Sequence, residues 1–332
     1  METQGEIIIL ADLLEDGADD AQDVERRAFT FGAHHHGRRI DLALAPVVPE
    51  LSRNYLQQLI EQGAVAIGGK PVTKPAQRVK AGEAGIIELR PTQQSQAFRP
   101  EPVPLAIVHE DEHLLVVNKP AGLVVHPASG NWSGTMLNGL LARDPKAASL
   151  PRAGIVHRLD KDTSGLMVVA RTRLAMDALV RKIAAREVSR QYLALAHRPW
   201  EGAATRTVDA PVGRDARNRL RMAVAGSGKP AMTTLELIEN CDRGCFVRAT
   251  LHTGRTHQIR VHMAHISHPL VADPLYGGAP DAGLARQALH AFRLAFEHPV
   301  TGVSLEFHAP LPDDLKGALA AWSLRYNEPG RP

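Results

Sequence analysis

Short apolar runs dominate the hydrophobic pattern from residue 105 onward. Eight runs have the length and the Val, Ile, Leu and Phe content of β-strands; they lie at 105–108, 114–118, 166–170, 191–196, 233–238, 246–251, 291–296 and 303–307. Segments with helical spacing lie at 135–143, 173–186, 256–266 and 312–323. Because strands outnumber helices and the two do not alternate regularly, the pattern predicts an α+β fold around a largely antiparallel sheet.

A second, smaller unit is predicted at residues 38–90. It begins with a short amphipathic helix at 40–45, followed by a helix at 52–62 with Ser52 as its N-cap. Gly68 and Gly69 then separate two short apolar runs, which is typical of a β-hairpin. Residues 91–104 are rich in Pro and Gln and are predicted to form a linker. We therefore expect two domains, 38–90 and 105–326.

Length and composition limit the class of protein. The 332 residues can form two domains with a large core. The chain contains no apolar run of about 18 residues, and its first residues lack a basic region followed by a cleavage-like site. We expect no membrane partner and no signal peptide. Two cysteines are too few for a disulfide framework and suit a reducing cytoplasm, where we expect the protein to act.

The distribution of charge is uneven. Residues 1–25 hold nine acidic side chains and no Lys or Arg, so the remaining chain carries 39 basic and 27 acidic residues. A surplus of this size is typical of proteins that bind polyanions. We interpret residues 1–37 as an acidic, disordered tail and His34–His36 as a short solvated run. Aromatic residues make up only 4% of the chain, which argues against nucleic-acid binding by stacking alone.

The densest cluster of chemistry-bearing residues is HRLDKDTSG at 157–165, which runs directly into an apolar strand. Asp160 and Asp162 would repel each other, so we expect Arg158 and Lys161 to balance them. An ionised carboxylate of this kind can act as a nucleophile or an electrostatic anchor. A simpler interpretation is a polar turn that caps the strand.

Five ordered blocks, spread over residues 100–312, resemble the RluA family of RNA pseudouridine synthases. They are VVNKPAGLVVHP (116–127), HRLDKDTSGLMVVAR (157–171), SRQYLALA (189–196), TGRTHQIRVHMAHISHPLVADPLYGG (253–278) and LHAFRLAFEHP (289–299). The resemblance implies the pseudouridine-synthase fold, a long, bent, mixed sheet with a cleft across its middle. It also implies an isomerase that flips a uridine out of the RNA and requires no cofactor.

The resemblance assigns roles to individual residues. Asp160 matches the catalytic aspartate, Arg260 the basic residue that pairs with it, and Tyr192 the tyrosine that stacks on the flipped uracil. Arg158 matches the arginine that fills the vacated space or pairs with the displaced base. Arg255, His257 and Gln258 are also predicted to bind RNA, because they lie at a predicted helix N-terminus, which is a natural phosphate site. Lys119 in the first block is the last predicted RNA-binding residue of this domain, and there it shapes the cleft.

Residues 38–90 resemble an S4 (αL-type) RNA-binding domain. The resemblance implies a basic surface that faces RNA, formed by Arg38, Arg39, Ser52, Arg53, Lys70 and Lys74. One departure is Gly68, where many members of that family carry Asn. A basic helical module without a ligand is the alternative interpretation.

Metal chemistry is not indicated. His252, His262, His265 and His268 fit no zinc spacing, and the chain lacks nucleotide-binding fingerprints. The resemblance implies 23S rRNA of a large ribosomal subunit precursor as the partner, with target uridines in the helix 69 stem–loop, and we expect a monomer. Alternatives are another 23S rRNA or tRNA site, a non-catalytic assembly factor, or an N-glycosidase that releases uracil.

Overall fold

Two units make up the protein in the computed structural model, Met1–Ala97 and Phe98–Pro332. The structure describes residues 25–49, 51–89, 97–128, 130–218 and 221–326. Most of the predicted acidic tail and residues 91–96 of the predicted linker lie outside these described residues. Within the described part of the chain, no helix is long and apolar enough to cross a bilayer.

The first unit is a four-stranded antiparallel sheet with two helices. Its strands are β1 (Arg26–Thr30), β2 (Val65–Ile67), β3 (Lys70–Val72) and β4 (Ala84–Glu88), in the order β1-β4-β2-β3. Its helices are α1 (Ile40–Ala43) and α2 (Arg53–Glu61). Ser52 caps α2 as predicted, since its hydroxyl accepts a hydrogen bond from the Tyr55 amide. Gly68 and Gly69 both have positive φ in the β2–β3 turn, as a two-residue hairpin requires.

The predicted tail was too long at its C-terminal end. Residues 26–30 form β1, which pairs with β4 along its whole length. Phe29 and Phe31 anchor this segment because both rings are buried in the core of the first unit. Part of the predicted tail, residues 26–30, therefore belongs to the sheet of the first unit.

The second unit is built on a nine-stranded mixed sheet. Its order is β5-β6-β7-β14-β8-β13-β12-β9, and β15 pairs with β14. The strands are β5 (Ala106–Glu110), β6 (Leu114–Lys119), β7 (Ser164–Ala170), β8 (Ser189–His197), β9 (Thr205–Asp209), β12 (Met232–Cys241), β13 (Gly244–Leu251), β14 (Leu289–Glu297) and β15 (Ser304–His308). A separate hairpin joins β10 (Val212–Arg214) to β11 (Met222–Val224). The β7–β14 pair is parallel and the other pairs are antiparallel. The α+β prediction is thus confirmed.

Four α-helices accompany this sheet: α3 (Met136–Arg143), α4 (Arg173–Ala184), α5 (Gln258–His265) and α6 (Asp313–Ala321). Apolar residues from α3 and α5 share one core cluster with β6, β7, β8 and β13, whereas α4 packs in a second cluster with β6, β7 and β14. All four lie within two residues of the predicted bounds at each end. The interior of each helix is therefore encoded by its apolar spacing.

The parallel β7–β14 contact fixes the polar turn that precedes β7. Gly165 has a φ of 119°, and a Cβ at this position would collide with the backbone oxygen of Ala291 in β14. The glycine of the DKDTSG segment therefore allows β7 to approach β14 closely. As a result, the turn that carries Asp160 is held at the centre of the sheet, beside β8 and α5.

Candidate active site

A cleft of about 710 Å³ opens beside the Asp160 turn. The residues that line it come from the Asp160 segment, β8, the loop before α5 and α5 itself. Six arginines line this cleft, and Asp160 is the single acidic residue among the described residues that do so. The electrostatics of the cleft therefore favour a polyanionic ligand.

Arg260 of α5 is the cation that pairs with Asp160. Its Nη1 lies 3.1 Å from Oδ2 of Asp160, while its Nε and Nη2 donate to both carboxylate oxygens of Asp273 at 2.7 and 2.8 Å. Asp273 is fully buried. Burial by itself lowers the pKa of Arg260, but the two carboxylates raise it above its ordinary value. Arg260 is thus a permanently charged group clamped between a buried acid and Asp160.

His257 approaches Asp160 from the other side, with Nε2 3.8 Å from Oδ1 of Asp160. Its Nδ1 lies 2.8 Å from the hydroxyl of Tyr276, and that hydroxyl oxygen accepts the amide N–H of Met222 at 3.0 Å. The Tyr276 proton is therefore available to Nδ1, which places the imidazole proton on Nε2, facing Asp160. Burial lowers the pKa of His257, although Asp160 opposes this shift, so the neutral ring is favoured.

The Asp160 turn is held from below by Lys119 at the end of β6. The Lys119 amine is fully buried and donates to the carbonyl oxygens of Pro120, Leu123 and Lys161 at 2.8 to 2.9 Å. Burial lowers its pKa to about 8. Of the two roles predicted for Lys119, direct RNA contact is therefore corrected, whereas shaping of the cleft agrees with these contacts. All three of its donors bind the backbone, so it shapes the cleft from behind.

Gln258 requires a similar correction. Its side-chain oxygen accepts from Thr253 Oγ1 and the Arg255 amide, and its Nε2 donates to the Met232 carbonyl and Thr233 Oγ1. The amide group is thus fully used within the fold. Arg255 remains half-buried in the cleft wall, where its Nε donates to the Pro230 carbonyl. Gln258 orders the loop before α5, and Arg255 stays a predicted RNA contact.

Tyr192 lies on β8 opposite Ala249 of β13 and Ala291 of β14, and its ring lines the cleft. Burial raises the pKa of Tyr192 to about 12, with Arg190 opposing and Asp160 reinforcing the shift. The hydroxyl is therefore protonated at neutral pH. Tyr192 and Asp160 thus share the cleft, as the sequence predicted, and the stacking role of the ring stays a prediction.

Three exposed arginines form what we call the rim of the cleft, Arg152, Arg158 and Arg186. The sequence predicted that Arg158 and Lys161 neutralise Asp160, but neither forms an ion pair with it among the described residues, and Arg260 takes that position. Arg158 is therefore available for an external ligand. Sequence reasoning did not find Asp273, Tyr276 or Arg190, since each looks like an ordinary turn or strand residue.

The predicted RNA-facing residues of the first unit fall into two groups. Arg38, Lys70 and Lys74 are exposed, and the Ser52 hydroxyl is a helix cap that keeps its own proton for donation. Arg39 and Arg53 both bind Asp41, a fully buried carboxylate that the sequence analysis missed. Although burial alone raises the pKa of Asp41, hydrogen bonds from Arg39, Gln57 and Arg53 lower it to about 2. Asp41 thereby holds the two arginines side by side at the surface.

Metal-ligating side chains do not cluster in the part of the chain that the structure describes, where no group of three or more His, Cys, Asp or Glu residues is placed to hold an ion. Two of the histidines in the segment around α5 have other partners. His262 is bound to Thr233 Oγ1 and the Ala210 carbonyl, and Nδ1 of His268 lies 3.2 Å from the carbonyl oxygens of His197 and Arg198.

Comparison with known proteins places this site in a family. Residues 113–265 match the family model for RNA pseudouridylate synthase, and residues 38–84 match the model for the S4 domain. Among solved structures, human RNA pseudouridylate synthase domain containing 1 superposes with a TM-score of 0.53 and 30% identity, covering 67% of this chain and 89% of that one. The chain belongs to the RNA pseudouridylate synthase family and carries an S4 domain.

More particularly, the chain is similar to proteins named ribosomal large subunit pseudouridine synthase D. The protein from Neisseria meningitidis serogroup B is 47% identical over 302 residues, which cover 87% of this chain and 79% of that protein. The protein from Escherichia coli K12 is 45% identical over 310 residues, covering 89% and 93%. The family resemblance seen in the sequence is thus confirmed.

Proposed function

We propose that the protein isomerises specific uridines of 23S large-subunit rRNA to pseudouridine, with Asp160 as the catalytic carboxylate. The observation that carries the proposal is the Asp160–Arg260 ion pair in a cleft whose described lining includes six arginines and one acidic residue. The similarity to ribosomal large subunit pseudouridine synthase D supports rRNA as the substrate. We place the target uridines in the helix 69 stem–loop, and we expect the protein to act as a monomer in the cytoplasm.

The reaction moves the sugar from N1 to C5 of the same uracil. Asp160 displaces N1 from C1′, so that the C1′–N1 electron pair leaves with the base and Asp160 becomes esterified. The freed uracil rotates, and C5 attacks C1′ and returns the C1′–O electron pair to Asp160. Loss of the C5 proton and protonation of N1 complete the isomerisation. No redox partner or energy source enters this balance.

The surrounding residues support each stage of the proposal. Arg260, held by Asp273, orients Asp160 before the attack through a charge-assisted hydrogen bond. The ring of Tyr192 stacks on the flipped uracil, and Arg158 at the rim takes the space that the base leaves in the RNA. In the first unit, Arg38, Arg39, Arg53, Lys70 and Lys74 contact phosphates, and Ser52 adds a hydroxyl donor.

The test uses the purified full chain and a transcribed 23S rRNA fragment that contains helix 69. Pseudouridines are mapped by reverse transcription after carbodiimide treatment, with Asp160→Asn as the matched control. We expect stops at defined uridines with the wild type and none with the variant. Free uracil and abasic sites in place of stops would indicate an N-glycosidase. Tight binding without any conversion would indicate an assembly factor.

A further inference from the structure

Two guanidinium groups are buried at the bottom of the cleft, and only one has carboxylate partners. Arg260 binds Asp160 and Asp273, whereas Arg190 has no ion pair among the described residues. Arg190 is only 7% exposed, and its buried Nε has no hydrogen-bond acceptor within the described part of the chain. A buried charge without a partner is unfavourable in the free protein. The arrangement therefore points to a negative charge that the ligand supplies.

The position of Arg190 indicates which part of the ligand it faces. Arg190 and Tyr192 are two residues apart on β8, so their side chains lie on the same face of the sheet, and both line the cleft. The Arg190 guanidinium lies against the backbone of Gly254, where an added Cβ would be 2.8 Å from Nη1. The charge is thus beside the ring that would stack on the base, below the exposed rim.

The neighbours of Arg190 leave its charge uncompensated. His157 accepts the Val168 amide with Nε2, and burial, followed by the charge of Arg190, lowers its pKa to about 3. It is therefore a neutral neighbour at physiological pH. The phosphates of RNA lie outside the base and are reached more readily by the exposed Arg152, Arg158 and Arg186 of the rim. A buried cation next to Tyr192 suits the base itself.

We propose that Arg190 is the counter-ion for the negative charge that uracil carries during isomerisation, an inference that rests on the proposed function. When the C1′–N1 pair leaves with the base, Asp160 becomes a neutral ester and the charge moves to N1, O2 and O4 of uracil. Arg260 remains at Asp160, so a second cation is needed where the base lies. If Asp160 instead adds to C6, the charge develops on O4 of the same ring. Arg190 stabilises the anion in both routes.

The first test measures a single turnover at saturating enzyme on the 23S fragment labelled with [5-³H]uridine, which loses tritium when the C5 proton leaves. Arg190→Gln is expected to slow release about 100-fold, with nearly unchanged affinity for the RNA. Arg190→Lys restores part of the rate because it keeps the charge. Arg243→Gln, which removes an exposed ion pair with Asp281 away from the cleft, leaves both quantities unchanged.

A second measurement separates catalysis from folding. Because the charge of Arg190 is unpaired in the free protein, Arg190→Gln is expected to keep or raise the melting temperature, whereas removal of a structural residue lowers it.

A third measurement uses RNA with 5-fluorouridine at the target, whose electron-withdrawing fluorine stabilises the anion. Relative to the wild type, the rate at which Arg190→Gln consumes this nucleoside should then be reduced less than its rate with uridine.

Three outcomes would overturn the role of Arg190 while leaving the proposed function intact. The first is a wild-type rate with Arg190→Gln, and the second is a loss confined to RNA affinity, which would indicate a phosphate contact. The third is a lowered melting temperature together with rate losses of equal size on uridine and 5-fluorouridine. Absence of tritium release by the wild type itself would instead refute the proposed function. In that case, a melting temperature lowered by Arg190→Gln would also refute the unpaired-charge argument.

Discussion

Asp273→Asn is the substitution that most directly tests how the Asp160–Arg260 pair is held in place. In the wild type, the fully buried Asp273 carboxylate receives two hydrogen bonds from Arg260 at 2.7 and 2.8 Å. Asn keeps the shape and one acceptor but removes the charge and one of the two bonds. Arg260, itself 9% exposed, would then be a buried cation with Asp160 as its remaining carboxylate.

The expected cost follows from that geometry. Removing one partner of a buried ion pair typically destabilises a protein by about 3–5 kcal/mol, and the retained acceptor places this case near the lower end. For a unit of this size, each kcal/mol shifts the melting temperature by about 2–4 °C. We therefore expect a decrease of about 6–12 °C. A displaced Arg260 also no longer orients Asp160, so the single-turnover rate should fall about 100-fold.

Calorimetry and tritium release from the labelled 23S fragment measure the two effects. Glu306→Gln is the matched control, because Arg293 binds Glu306 with the same two-bond geometry at 2.9 and 2.6 Å on the surface. That exposed pair should contribute less than about 1 kcal/mol. If Asp273→Asn and Glu306→Gln had equal, small effects on both measurements, the buried clamp would have no role in stability or in the orientation of Asp160.

Four further predictions concern the carboxylate, metals, the first unit and pH. Asp160→Asn is expected to abolish isomerisation while RNA affinity stays nearly unchanged; turnover above a contamination control would exclude Asp160 as the catalytic group. Full activity is expected after EDTA treatment on prefolded RNA, and restoration of lost activity by zinc would contradict this. Removal of residues 1–95 should weaken RNA binding. It should also reduce the slope of log affinity against log salt concentration by up to about 0.9 per lost phosphate contact. Unchanged affinities and slopes would refute RNA binding by the S4 domain. The pKa of His157 is about 3 in the folded state, below its unfolded value of 6.5, so the free energy of unfolding should decline as the pH falls from 6.5 toward 3. His157→Gln should flatten that decline in acid titrations. An unchanged profile would exclude His157 as its source.

The apolar runs predicted the central strands because those strands are buried over most of their length. All seven residues of β7 are buried, so a continuous apolar sequence was a reliable signal. β1, β9, β10 and β11 were missed for the opposite reason. In β9 only Val208 is buried, and the other four positions are exposed polar side chains. A strand at the edge of a sheet can be stabilised by backbone hydrogen bonds that leave no hydrophobic pattern.

The site was predictable from the sequence only in part. Asp160 stood out because of the charges around it, but its partner Arg260 lies 100 residues away and was assigned through the family resemblance. Lys119 was given an RNA-binding role because its block resembles the family's first motif, and Gln258 because it lies at a predicted helix N-terminus. Neither signal distinguishes a side chain that binds a ligand from one that binds the backbone. Only the structure shows that their donors and acceptors are already used.

The source of the charge that balances Asp160 has a consequence for RNA recognition. Sequence proximity favoured Arg158 and Lys161, yet the structure assigns this task to Arg260, which is anchored by Asp273. Arg158 is therefore not required as the charge partner of Asp160. Because Arg260 and not a rim arginine pairs with Asp160, we expect substitutions at the rim to change RNA affinity and target choice more than the rate of the chemical step.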